Sequence, residues 1–166
     1  MVTHKFQTKI EMTVEEFHTA RHKKLVSLIR ELERVLGRDE AHKLVSNWAE
    51  RTAVNDIKSV IASQEKPPET FEDIKVLLRG WVDDLNSNNM ETVSITEETN
   101  SKSICMVDEC IYASIFNKLD AADIGYLLYC KHDFTTTPEI HPNLGLKREK
   151  TVMQRNDCCD FEYYWK

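Results

Sequence analysis

The sequence predicts an α+β fold, in which N-terminal helices pack with a C-terminal antiparallel sheet that carries inserted helices. Three observations point there. Apolar residues recur at helical spacing up to Leu85, alternation with a period of two takes over from Glu91, and all five cysteines fall from Cys105 onward. With 166 residues the chain can bury one sizeable core, so residues 1–166 read as a single domain with a helical half (1–88) and a sheet-containing half rich in Cys and Asp (89–166).

The first helix opens at Thr13-Val-Glu-Glu16, a capping box in which the threonine accepts from the Glu16 amide while the glutamate reaches back. Val14, Phe17, Leu25, Leu28, Leu32 and Val35 form its apolar stripe, and Gly37 closes it. A second helix opens near Asp39, carries Leu44, Val45, Trp48, Ile57, Val60 and Ile61, and stops at Pro67-Pro68. Thr70 and Asp73 start a third, with Phe71, Ile74, Leu77, Leu78, Trp81 and Leu85, which ends in the turn-forming run Asn86-Ser-Asn-Asn89.

From Glu91 to Glu97 the alternation of Val93 and Ile95 reads as a strand, returning over Ser103 to Val107 after a turn at 98–102. Two short helices follow, at 109–119 and 121–130, with Asp120 as the cap of the second. Residues 144–152 and 159–165 read as extended, joined by a turn at 154–157.

Charge and composition narrow the function. A formal charge of −6 and no basic stripe speak against a nucleic-acid partner. No run approaches the ~20 apolar residues of a membrane helix, and residues 1–8 lack the apolar core of an export signal. The expected setting is therefore the cytoplasm, with reduced thiols. Four glycines, with no Gly-rich phosphate loop, no H-E-x-x-H and no G-x-S-x-G, set aside kinases, P-loop enzymes and Rossmann dehydrogenases. His18 and His22 have metal-ligand spacing on one helix, but Arg21, Lys23 and Lys24 around them favour a solvated polar face.

Reactive residues gather in four stretches of the second half. These are Val107-Asp-Glu-Cys110; Asp123 to Cys130 running into Lys131-His-Asp-Phe134; Pro142 to Leu144 with Arg148 to Thr151; and Asp157-Cys-Cys-Asp-Phe161. Helical spacing puts Asp123 and Cys130 on one side, with Cys130 at the helix end beside His132 and Asp133. If 159–165 is a strand, Cys159, Phe161, Tyr163 and Trp165 share a face that is most simply core, leaving Asp160 on the other. Asp133 and Asp160 also suit helix or turn caps, and His132 an ordinary surface position.

The order Glu109-Cys110, Gly125-Tyr126, Cys130, Asp133-Phe134, Lys150-Thr151-Val-Met153, Asp157 and Cys159-Asp160-Phe161 resembles the L-2-amino-thiazoline-4-carboxylic acid hydrolase family over residues 105–165. Arg155-Asn156 depart from it where a family-type glycine is expected, in the turn that carries Asp157. The resemblance implies a hydrolase that opens a small cyclic amidine at a C–N bond, giving a carbamoyl-cysteine. Its partner would be an amino-acid-like small molecule. Catalytic candidates are Cys110, Cys130, Asp133, Asp157, Cys159 and Asp160; His132, Arg148 and Lys150 are candidates for substrate binding, with Arg155 a further cation for the substrate carboxylate.

Two mechanisms fit these residue types. A cysteine can attack covalently, or a carboxylate can activate water, with Asp133 or His132 carrying the proton. Alternatively Cys110, Cys130 and Cys159 hold zinc, although their spacing matches no compact knuckle, so no metal or other cofactor is expected first. The rival reading is a non-catalytic small-molecule or zinc-binding sensor module of the same fold. A partner-binding subunit anchored by Trp48, Trp81 and Trp165 is a third.

Overall fold

The computed structural model describes residues 11–166; the stretch 1–8 read for an export signal lies outside the described residues. Helix α1 (Val14–Leu36) begins at the capping box: Thr13 Oγ1 accepts from the Glu16 amide at 3.1 Å, and Glu16 Oε2 accepts from the Thr13 amide at 2.8 Å. Gly37, at φ 82°, is the hinge into α2 (Arg38–Ala62), where a Cβ would be strained. A second capping box, Thr70 with Asp73, opens α3 (Phe71–Ser87).

Strands β1 (Glu91–Glu98) and β2 (Lys102–Cys110) form a hairpin, followed by α4 (Ile111–Lys118). The short helix α5 (Ala122–Gly125) widens into a π-helical turn over Tyr126–Cys130. Then come α6 (Asp133–Ile140), β3 (Leu144–Lys147), a 3-10 turn over Val152–Gln154, and β4 (Cys159–Trp165). The four strands lie in the order β1-β2-β4-β3, all antiparallel. The predicted α+β architecture is the observed one, with helices mostly first and the sheet after. Among the described residues no helix is long and apolar enough to cross a membrane.

Several local expectations change. Helix α6 was read neither from its run of threonines nor through Pro138. The extended run ends at Lys147, and Val152 enters the 3-10 turn. Asp120 does not cap α5: it sits at φ 50°, and no side chain caps that helix. On α1 the inward face is His22, Val26 and Ile29, whereas Val14, Phe17, Leu28 and Val35 point outward. The reason lies in α2, which buries Ala41, Val45 and Ala49 and exposes Leu44, Trp48 and Val60. Small residues let the two helices approach closely, so the seam runs along the small-residue face and not along the larger one.

Three packed clusters result. Val26, Ile29, Val45 and Ala49 meet Phe116, Ile124, Leu128 and Met153. Phe71, Ile74 and Leu78 of α3 pack on Ile140 and Leu144. Val93, Cys105, Val107 and Cys159 cover one face of the sheet. Gly125 lies so close to the first cluster that an added Cβ would stand 2.6 Å from both Met153 Sδ and Phe116 Cγ.

Candidate functional site

Between that sheet face and α3, the π-helical turn and α6 lies a cavity of about 310 Å³. Strand alternation builds its floor. The register sets Cys105 opposite Phe161 and Val107 opposite Cys159, so Val93, Cys105, Val107, Cys159, Phe161 and Tyr163 all face inward. Leu78, Trp81, Val82 and Leu85 of α3 form an apolar wall. Its charged groups, Glu91, Asp133 and Arg148, gather at one end.

At that end Glu91, first residue of β1, pairs in register with Cys110, last residue of β2, and the Cys110 thiol donates to Glu91 Oε1 at 3.4 Å. Asp133 opens α6 and forms an ion pair with Arg148, which enters from the loop after β3. Arg148 Nη2 also donates to the Cys130 carbonyl at 2.9 Å, and its guanidinium packs over the rings of Phe134 and Phe161 at 5.1 and 5.2 Å. Only 2% of the Arg148 side chain is accessible.

Burial sets the protonation of these groups. It raises the Glu91 carboxyl above its ordinary value, with the Asp133 charge acting the same way. It raises Asp133 too, against the pull of Arg148 and His132. Burial pushes the Cys130 thiol up to about 12 and raises Cys110 and Cys159 as well. These thiols are therefore protonated at neutral pH and are poor nucleophiles. Cys159 Sγ accepts from the Val152 amide at 3.3 Å, which ties β4 to the 3-10 turn.

The structure thus gathers Cys110, Cys130, Asp133, Arg148 and Cys159 around one cavity, and keeps the other candidates out of it. Asp160, on the opposite face of β4, accepts from the amides of Glu149 and Lys150 at 3.0 and 2.6 Å and pins the loop that delivers Arg148. Asp157 and Lys150 pair with each other at 3.1 Å on the surface, and Lys150 holds the Asp157 carboxyl below its ordinary value. His132 turns away: its Nε2 is bonded to the Leu128 carbonyl at 2.9 Å, and it lines an outer groove with Arg21 and Trp48. Asp123 and Cys130 do not share a side, because the π-helical turn lies between them; Asp123 pairs with Arg30 at 2.9 Å. Arg155 also lies away from the cavity, where its Nε donates to Asn117.

Sequence reasoning missed Glu91, which looked like an ordinary strand start, and the aromatic wall of Tyr112 and Tyr129, whose rings stack with centroids 4.1 Å apart. Tyr129 is held by His22, which is buried and not on a solvated face. The His18 carbonyl can only accept, so His22 Nδ1 carries the proton at 2.6 Å and Nε2 accepts from the Tyr129 hydroxyl. Burial lowers the His22 pKa, in keeping with a neutral ring. The signal for this pair was the placing of Val26 and Ile29 four and seven residues after His22, on the same helix face.

Among the described residues, Glu33, His42 and Asp123 bring ligand atoms within 4.8 Å of one another. Asp123 is already engaged by Arg30 and Arg38 at 2.9 and 2.8 Å, which suits an ion-pair network better than a bound cation.

The fold is similar to that of the phenol-responsive sensory domain of the transcription activator PoxR, solved with phenol, at a TM-score of 0.55 and 11% sequence identity. That alignment covers 95% of this chain and 77% of the other. Among curated proteins none matches the chain in sequence. The family model for L-2-amino-thiazoline-4-carboxylic acid hydrolase matches residues 18–163, which takes in the helices as well as the cysteine-bearing half, and the chain belongs to that family.

Proposed function

We propose that the chain hydrolyses a small cyclic amidine bearing a carboxylate, in the cavity shared by Glu91, Asp133 and Arg148. What supports this is the convergence of two carboxyls with raised pKa and a buried guanidinium in a largely apolar chamber, in a member of a family named for such a hydrolase. At about 310 Å³ the chamber is at the small end of ligand sites, suited to a single ring.

In this mechanism water adds across the ring C=N bond, its oxygen to carbon and one proton to the ring nitrogen. Collapse then forms a carbonyl, breaks the ring C–N bond and delivers the second proton to the departing nitrogen. Glu91 ferries both protons, since Asp133 is committed to Arg148. Arg148 has N–H groups beyond those bonded to Asp133 and Cys130, and these take the substrate carboxylate. Protonated thiols favour carboxylate-assisted water over covalent attack by cysteine.

A second reading, a small-molecule sensor without turnover, is favoured by the apolar lining and by the fold shared with a phenol-responsive sensory domain. Mass-spectrometric turnover of 2-amino-thiazoline-4-carboxylate separates the two. Hydrolysis predicts ring-opened product from the wild type, a loss of about 100-fold or more in Glu91→Gln, and activity within about tenfold in Cys159→Ser. Saturable binding by calorimetry with no product would replace the enzyme with the sensor.

A further inference from the structure

Helix α1 carries a second seam, apolar at four of its seven positions, that is left exposed among the described residues. Val14, Phe17, Arg21, Lys24, Leu28, Glu31 and Val35 follow one another at alternating spacings of three and four, and all are exposed. Phe17, Leu28 and Val35 keep 52%, 58% and 63% of their surface accessible. Alternation of three and four is the pattern of a helix packed against another helix. Trp48 and Leu44 of α2, also exposed, add to the apolar surface, and Trp48 shares a groove with Arg21 and Leu25.

We propose that this seam is a self-association surface, on which α1 packs antiparallel against α1 of a second copy of the chain. The charge order selects that occupant. Arg21 and Lys24 lie toward the start of the seam and Glu31 toward its end. Running two copies in opposite directions puts Phe17 opposite the partner's Val35, Arg21 opposite the partner's Glu31, and Lys24 opposite the partner's Leu28, with the aliphatic stem of the lysine covering the leucine. The same contacts repeat across a two-fold axis, as a closed dimer requires. A parallel pairing would set Arg21 against Arg21 and Glu31 against Glu31. In the single chain Glu31 is bound to Arg34 at 2.6 Å, an exposed pair that contributes little and is easily exchanged.

Sedimentation equilibrium and cross-linking test this on the full chain. The wild type should be dimeric at about 50 µM, and Leu28→Lys, which sets a like charge against the partner's Lys24, should raise the dissociation constant by at least about tenfold with unchanged helicity, because Leu28 is exposed in the monomer. Under oxidation, a mixture of Phe17→Cys and Val35→Cys chains should form a disulfide between positions 17 and 35, identified by mass spectrometry, which neither variant forms alone. A wild type that stays monomeric, a dimer indifferent to Leu28→Lys, or a 17–17 cross-link would overturn the proposal.

Discussion

Arg148 and Asp133 close an ion pair across the polar end of the cavity, with the arginine all but sealed from solvent and its guanidinium held between two phenylalanine rings. The pair joins the loop after β3 to the first turn of α6. Removing one partner leaves a buried charge without its counterpart. Arg148→Met is therefore expected to cost about 3–5 kcal/mol in urea denaturation, while Arg148→Met combined with Asp133→Asn should cost clearly less than the two single losses added. Additivity of the two would show that the pair does not couple.

The cavity thiols should resist alkylation. With Cys130 pushed up to about 12 and Cys110 and Cys159 raised as well, iodoacetamide at pH 7.5 should modify the native cavity cysteines at least about tenfold more slowly than free cysteine. Unfolding in guanidinium should expose all five. Rapid labelling of Cys130 or Cys159 in the native protein would reinstate a covalent mechanism.

Glu91 should leave a signature in the pH dependence of stability. A carboxyl with a raised native value holds its proton more tightly when folded, so stability declines as pH climbs from the ordinary carboxylate value through the raised one. Glu91→Gln removes that decline and should be more stable than wild type at pH 7, the difference vanishing toward pH 4. Chemical denaturation at several pH values measures it, and parallel curves for the two proteins would contradict it.

Gly125→Ala should destabilise, although alanine ordinarily favours a helix by about 1 kcal/mol. The new methyl would meet Met153 Sδ and Phe116 Cγ at 2.6 Å within the main core, an overpacking cost of about 1–3 kcal/mol. A rise in melting temperature would mean that the core yields more readily than its packing implies.

Arg155→Gly should be nearly silent. Arg155 takes a left-handed conformation at φ 67°, which glycine adopts freely, and gives up only its bond from Nε to Asn117 Oδ1 at 3.0 Å. A stability change within about 1 kcal/mol and unaltered turnover are expected, since the turn faces away from the cavity. A large gain in activity would restore the departure at this turn as a functional one.

How much of this was legible in the sequence depends on how local the cause is. Both capping boxes, the hinge at Gly37 and the two inner-face strands of the sheet follow from neighbours within a few residues, and so did the face shared by Cys159, Phe161 and Tyr163. The pairing of Glu91 with Cys110 depends on the register of a hairpin with two bulges, at Thr92/Val93 and Ile95/Glu97, which no spacing rule supplies. Helix α6 escaped because its residues are indifferent helix formers stabilised by packing of Thr137 and Ile140. The π-helical turn likewise rotates Tyr129 and Cys130 away from the positions that a regular helix would give. Asp157, Asp160 and Lys150 were conspicuous by chemistry and proved to hold the surface loop together.

The strand order β1-β2-β4-β3 also bears on how the chain matures. A ribosome delivers β3 before β4, yet among the described strands β3 finds its hydrogen-bonding neighbour only in β4. The β1-β2 hairpin can form early, whereas Cys159, Phe161 and Tyr163, on which the chamber floor depends, arrive with the last-made strand. No small molecule can then help a nascent chain to fold through this chamber before β4 is synthesised; a ligand acts only once β4 has joined the sheet and the chamber floor is whole.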